Sequence, residues 1–272
     1  MTEAVDQSGW NGRKRVFTTE DGRRLAYVES GEGPPLFLLH GYTDSSRSWS
    51  LIEPHLAGFR LVMPDLPGHG LSTAMPRPSV EAFADDIVRL ADALGIAQFA
   101  VAGHSMGAIT AFALAARYGR RVTAVASICG SLQPGLLART TLGADIRALV
   151  DPIDPESRFL REWHHCARPV NAAFIRWIAE EAAAMPAIVW QALFDMLVAT
   201  DLRRAAGGID MPVLLLSGDE DSLFDTPHRA VLRRAFPQAA MEMLAGHGHN
   251  PHWEVPVPVA NILAGFLRER VG

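Results

Sequence analysis

The pentapeptide Gly103-His104-Ser105-Met106-Gly107 constrains this chain most, because it stands between an apolar run, Phe99-Ala100-Val101-Ala102, and a helical run from Ala108 to Tyr118. A strand, then G-x-S-x-G, then a helix describes a tight turn that forces the serine into strained backbone geometry and leaves its hydroxyl exposed above a sheet. Ser105 is therefore the candidate nucleophile. The flanking glycines have a mechanical reason, since a side chain at either would crowd the strand or helix where the turn closes.

A serine hydroxyl is a poor nucleophile at its own pKa, so a histidine must take its proton and a carboxylate must hold that imidazole in the right tautomer. Both types follow downstream at strand ends. The apolar run Pro212-Val213-Leu214-Leu215-Leu216 leads into Ser217-Gly218-Asp219-Glu220-Asp221, with Asp225 just beyond. Met241-Glu242-Met243-Leu244 reads as another short strand and leads into a tract holding His247, His249 and His252.

Four blocks in this order and strand context resemble the α/β-hydrolase superfamily, in its compact, lidded, esterase-like branch. They are Leu39-His40-Gly41-Tyr42, Pro64 to Ser72 (PDLPGHGLS), Gly103 to Gly107, and Gly248 to Pro256 (GHNPHWEVP). The resemblance covers nearly the whole chain and implies the order nucleophile, acid, base. The family's G-x-x-D after the strand-closing glycine selects Asp221 over Asp219 and Asp225. Its G-H-x-x-H-x-E-x-P pattern selects His249 over His247, with His252 and Glu254 opening the last helix. Backbone N–H groups of Met106, at a helix N-terminus, and of Tyr42, after His40-Gly41, are the implied oxyanion donors. His40 and His69 read as loop-bracing residues. Haloalkane dehalogenases and epoxide hydrolases resemble this fold but place Asp at the elbow, so Ser105 argues against both.

The rest of the chain fits a mostly parallel sheet flanked by helices. Val16 and Arg24 to Val28 flank the turn Asp21-Gly22 as a hairpin. Leu36 to Leu39, Leu61 to Met63 and Val122 to Ile128 read as buried strands. Ser79 can cap a helix with Phe83, Ile87, Leu90 and Leu94 on one face. Between about Leu132 and Ile209 the pattern turns purely helical, punctuated by prolines, and strand text resumes at Pro212. The expected division is an α/β-hydrolase core at 1–131 and 209–272 with a helical lid at 132–208. Most lid aromatics are expected to form packing seams, with Trp163, Trp177 and Trp190, and His104 at the elbow, as candidate substrate contacts.

Composition narrows the partners. A formal charge of −5 and 49% hydrophobic residues give a sizeable core and no basic field for nucleic acid. The acidic start lacks a signal-peptide pattern and no apolar run would span a bilayer, so a cytoplasmic location without membrane contact is expected. Cys129 and Cys166 are too few for a disulfide framework. The histidine tract and His164-His165-Cys166, taken to lie in a helix, match metal sites poorly, so neither metal nor cofactor is expected. No conspicuous cluster of Arg or acid is expected to face the site. The expectation is a serine hydrolase of a largely apolar ester or lactone. Carbon–carbon bond hydrolysis, perhydrolase-like chemistry and a non-catalytic small-molecule receptor are the alternatives on the same fold.

Overall fold

The computed structural model describes residues 7–135 and 141–271. Its strands are β1 (Arg15–Thr18), β2 (Arg24–Ser30), β3 (Pro35–Leu39), β4 (Arg60–Pro64), β5 (Phe99–His104), β6 (Val122–Ile128), β7 (Val213–Gly218) and β8 (Ala240–Leu244). They form one sheet in the order β1-β2-β4-β3-β5-β6-β7-β8. β1 and β2 pair antiparallel as the expected hairpin, β2 joins β4 antiparallel, and every later pairing is parallel.

Parallel strands covered on both faces need apolar side chains in both directions, which explains the unbroken apolar runs of β3, β5 and β7. Phe37, Leu39 and Val101 face the core shared with α1 (Val80–Ala93) and α2 (Met106–Arg117). Their neighbours Leu36, Leu38, Ala100 and Ala102 face the opposite core, closed by Val259, Leu263 and Leu267 of the C-terminal helix Pro256–Val271. α1 starts where expected, with the Ser79 hydroxyl accepting from the Ala82 N–H at 3.0 Å.

Among the described residues, four α-helices lie between β6 and β7: α3 (Leu142–Arg147), α4 (Arg158–Trp163), α5 (Ala172–Ala184) and α6 (Ala187–Ala199). The two ends of this insertion meet, since the Leu202 N–H donates to Leu132 O at 2.8 Å. Asn171 caps α5 by accepting from the Ala173 and Phe174 N–H groups. His164-His165-Cys166, expected inside a helix, instead follows the end of α4. Three helices complete the chain: α7 (Thr226–Ala235), the short α8 (Pro251–Glu254) and α9 (Pro256–Val271). Among the described residues no single helix is long and apolar enough to cross a membrane. α5 and α6 pass that test only as a pair, bent by 94° at their junction.

Candidate active site

The elbow forms because its glycines leave no alternative. A Cβ on Gly103 would stand 2.2 Å from Gly107 O, and one on Gly107 would stand 2.0 Å from Leu39 O. With β3, β5 and α2 this close, Ser105 is held at φ 52°, ψ −115°, a region that non-glycine residues rarely adopt. The Ser105 N–H donates to Ile128 O at 3.0 Å, tying the turn to the end of β6.

Ser105 Oγ lies 2.9 Å from His249 Nε2, and His249 Nδ1 lies 2.9 Å from both carboxylate oxygens of Asp221. A carboxylate oxygen accepts, so Nδ1 carries the hydrogen and Nε2 presents its lone pair to the serine. Asp221 also accepts from the Leu223 and Phe224 N–H groups. Burial pushes the Asp221 carboxyl up, but the nearby His249 and these hydrogen bonds outweigh it and hold the group well below the ordinary carboxylate range. The other acids are occupied elsewhere. Asp219 accepts from the Gly246 N–H at 2.6 Å, and Asp225 pairs with His228 at 3.0 Å. His247 turns to Ala245 O at 2.9 Å.

The loop after β3 is braced from beneath. His40 Nδ1–H donates to Gly41 O at 2.8 Å while its Nε2 accepts from the Leu66 N–H, also at 2.8 Å. Burial, reinforced by His69, lowers the His40 pKa to about 3 and keeps it neutral for this double role. His69 Nε2–H donates to Tyr42 O at 2.5 Å. Both histidines therefore act on the loop and not on Ser105. Among the described residues, neither the Tyr42 nor the Met106 N–H has a backbone partner.

A cavity of about 780 Å³ lies over Ser105 and His249, walled by the β3 loop, the insertion and the Asp221 loop. Trp163 and Phe159 border it. Three expected contacts are corrected. Trp190 is wholly buried, donating from Nε1 to Ala182 O and packing edge-on against Tyr42 and Trp163, which removes it from the wall. Trp177 lies outside the wall beneath the Arg47 guanidinium, 4.8 Å from its ring centre. His104 borders the cavity but is only 2% exposed, and its Nε2 is committed to His249 O at 2.8 Å, so it is not free to bind substrate. The wall is also less apolar than expected: Asp145, Glu162, Glu220 and Asp225 all border it.

Sequence reasoning missed Asp44, whose Oδ2 accepts from the Gly41 N–H and the Ser48 hydroxyl, each at 3.2 Å. It follows Tyr42 by two residues, and a buried acid so close to a candidate oxyanion donor was the available signal. Asp44, His104 and His252 place ligating atoms within 4.8 Å of one another, as do Cys129, Asp221 and His249. The second set is already bonded to itself through Asp221 and His249. In the first, His104 Nδ1 and Asp44 Oδ2 stand 3.8 Å apart, wider than the about 3.3 Å that ligands about 2.0 Å from a tetrahedral zinc would adopt. The expected histidine tract does not converge: His249 faces Ser105, His252 lies behind His104, and His247 belongs to neither set.

A family model described as alpha/beta hydrolase fold matches residues 34–152. The chain is 31% identical over 258 residues to a 2-succinyl-6-hydroxy-2,4-cyclohexadiene-1-carboxylate synthase of Salmonella agona (strain SL483), covering 86% of this chain and 94% of that protein. The chain belongs to the α/β-hydrolase family. It is also 38% identical over 118 residues to bifunctional epoxide hydrolase 2 of Sus scrofa, a match that spans 42% of this chain but only 21% of that protein. Among solved structures, a thermophilic esterase from Thermogutta terrifontis superposes with a TM-score of 0.77 at 25% identity, over 94% of this chain and 98% of that one.

Proposed function

We propose that this chain hydrolyses carboxylic esters or lactones through an acyl-enzyme on Ser105. The observation that carries the reading is the continuous relay from Ser105 Oγ through His249 to Asp221, each contact 2.9 Å. In this reading His249 Nε2 takes the Ser105 proton as Oγ attacks the carbonyl, and Asp221 stabilises the imidazolium that forms. The developing oxyanion takes hydrogen bonds from the Tyr42 and Met106 N–H groups, the latter at the N-terminus of α2. Imidazolium returns the proton to the leaving alcohol, and a water activated the same way releases the acid.

The helical insertion serves as a lid that selects the substrate, with Trp163 and Phe159 as its contribution to the wall. The carboxylates of Asp145, Glu162, Glu220 and Asp225 on that wall favour a guest with polar groups over a wholly apolar one. Likeness to an epoxide hydrolase does not extend to the reaction, because Ser105 stands where that chemistry uses an aspartate.

The test is a scan of p-nitrophenyl esters of increasing acyl length, with lactones and an aryl-ketone carbon–carbon substrate in parallel, together with a serine-directed phosphonate. Ester or lactone turnover with labelling at Ser105 supports the reading. Turnover confined to the carbon–carbon substrate moves the chain to that chemistry, and binding without turnover of any substrate makes it a receptor.

A further inference from the structure

We infer that His104 is a positioning residue for the base: its Nε2–H, donated to the main-chain carbonyl of His249 at 2.8 Å, makes the strand that carries the nucleophile also hold the loop that carries its partner. The inference rests on the Ser105–His249 reading above.

Hydrogen-bond chemistry fixes the direction. A carbonyl only accepts, so His104 must carry its hydrogen on Nε2. Burial, partly opposed by Asp44, holds the His104 pKa below the ordinary histidine range, so the ring is a neutral donor there. Among the described residues no other group donates to His249 O. The His249 side chain is engaged with Ser105 and Asp221, while Gly248 N–H donates to Glu254 and Asn250 O accepts from the Trp253 and Glu254 N–H groups, so the bond from His104 is the contact that ties the His249 carbonyl itself to the elbow.

His104 and Ser105 are consecutive, which makes the arrangement a short lever. Ser105 is pinned by its strained turn and its bond to Ile128 O, while the preceding side chain reaches across to the base loop. The ring cannot drift, because it packs between the imidazoles of His249 and His252, with centroids at 5.0 and 4.2 Å. The β3 loop rests on the same ring. A Cβ on Gly41 would come within 2.8 Å of both His104 Nδ1 and Asp44 Oδ2. His104 thus sits where the nucleophile, base and oxyanion loops meet.

The experiment compares His104→Gln, which keeps an N–H donor at similar reach, with His104→Met, of similar length and without one. Steady-state kinetics on the best ester, thermal melts, and the low-field proton signal of the His249 Nδ1–H are read for each. His104→Met should lower kcat about ten- to a hundredfold with KM little changed, the range expected when a reacting pair is misplaced by about 1 Å. Its low-field signal should shift or broaden away. His104→Gln should recover most of the rate and the signal. If Met matches wild type, or if Gln falls as far as Met, the bond to His249 is not what His104 contributes. Should the Met variant fail to fold, His104→Phe, which keeps a ring without the donor, is compared with Gln by the same criterion. If wild type turns over no ester, the hydrolase reading fails, and the His249 signal in the two variants still decides the role of His104.

Discussion

The strand-end loops and the helical insertion wall the same cavity but are held together by different forces. On the sheet side, the relay and the loop that carries Tyr42 are fixed by directional bonds: His249 to Asp221 and Ser105, Leu66 to His40, Tyr42 O to His69, Gly41 to Asp44. The insertion relies chiefly on aromatic packing, with Trp190 as the hub of Tyr42, Phe159 and Trp163. Hydrogen bonds weaken steeply with angle and length, whereas apolar packing is proportional to area and largely indifferent to direction. A reaction that needs groups within a few tenths of an ångström is therefore built on the first kind of support. A wall that must suit one guest can be built on the second.

That contrast is broken most severely at Ser105. Ser105→Ala should lower kcat by about 10⁶-fold, the scale seen when a triad nucleophile is removed, with the melting temperature little changed because alanine keeps the same Cβ at the same backbone angles. Phosphonate labelling of the wild type should fall on Ser105 alone. Substantial turnover by the alanine variant would remove Ser105 from the chemistry. Next in size is Asp221→Asn, at about 10⁴ in kcat, because an amide can donate to Nδ1 and turn the imidazole to the wrong tautomer. Asp219→Asn and Asp225→Asn should cost far less, since those carboxylates bond Gly246 and His228. If Asp219→Asn proves the worse, the relay through Asp221 is not the working one.

The sheet side was also the more legible half. Strand runs such as Leu36 to Leu39 and Val213 to Leu216 could be read because a parallel strand buried on both faces must be apolar at every position. Ser105, Asp221 and His249 follow strand ends, where backbone order and the family's spacing place them. Trp177 and Trp190 were misplaced for the opposite reason. On α5 and α6 an aromatic at helical spacing suits a packing seam and a pocket wall equally, and only the crossing of the helices decides which. The reach of His104 to His249 O joins residues 145 apart in sequence, so no local pattern contains it, whereas Asp44 bonds its neighbours Gly41 and Ser48 and only its burial was hidden.

A third prediction uses pH to separate the two regions. His40, His69, His104, His164 and His252 are all held neutral below the ordinary histidine range, with burial the leading cause for each. Four of these five belong to the sheet side. Between the unfolded value near 6.5 and the folded value, about 3 for His40, the unfolded chain binds a proton that the folded chain refuses. Stability is thus fully present above pH 6.5 and is lost as pH falls, by about 1.4 kcal/mol per pH unit for each histidine within its window. Below about pH 4 the depressed carboxylates Asp44, Asp65 and Asp221 add loss of the same sign. Thermal melts from pH 7.5 to 4.5 should show a steep decline starting near 6.5. A flat profile would mean that these rings are protonated or solvated in the folded state.

The smallest effect is the one that sharpens the contrast most, because it asks whether tryptophans of one insertion divide into wall and seam. Trp190 is wholly buried and touches no part of the cavity, so Trp190→Ala should cost about 3–5 kcal/mol of stability through the cavity it leaves, without changing which ester is preferred. Trp163 borders the cavity and donates from Nε1 to Thr43 Oγ1 at 2.7 Å, beside the loop that carries Tyr42. Trp163→Ala should shift the kcat/KM ratio between a short and a long acyl ester by about ten- to two-hundredfold, the worth of one apolar contact in a binding pocket. Trp177→Ala should leave that ratio alone and affect only the seat of the Arg47 guanidinium. The measurement is that ratio and a melt for each of the three variants. If Trp190→Ala moves the ratio while Trp163→Ala does not, the acyl group lies on the far side of the seam, and the insertion selects substrate through its packing instead of its exposed wall.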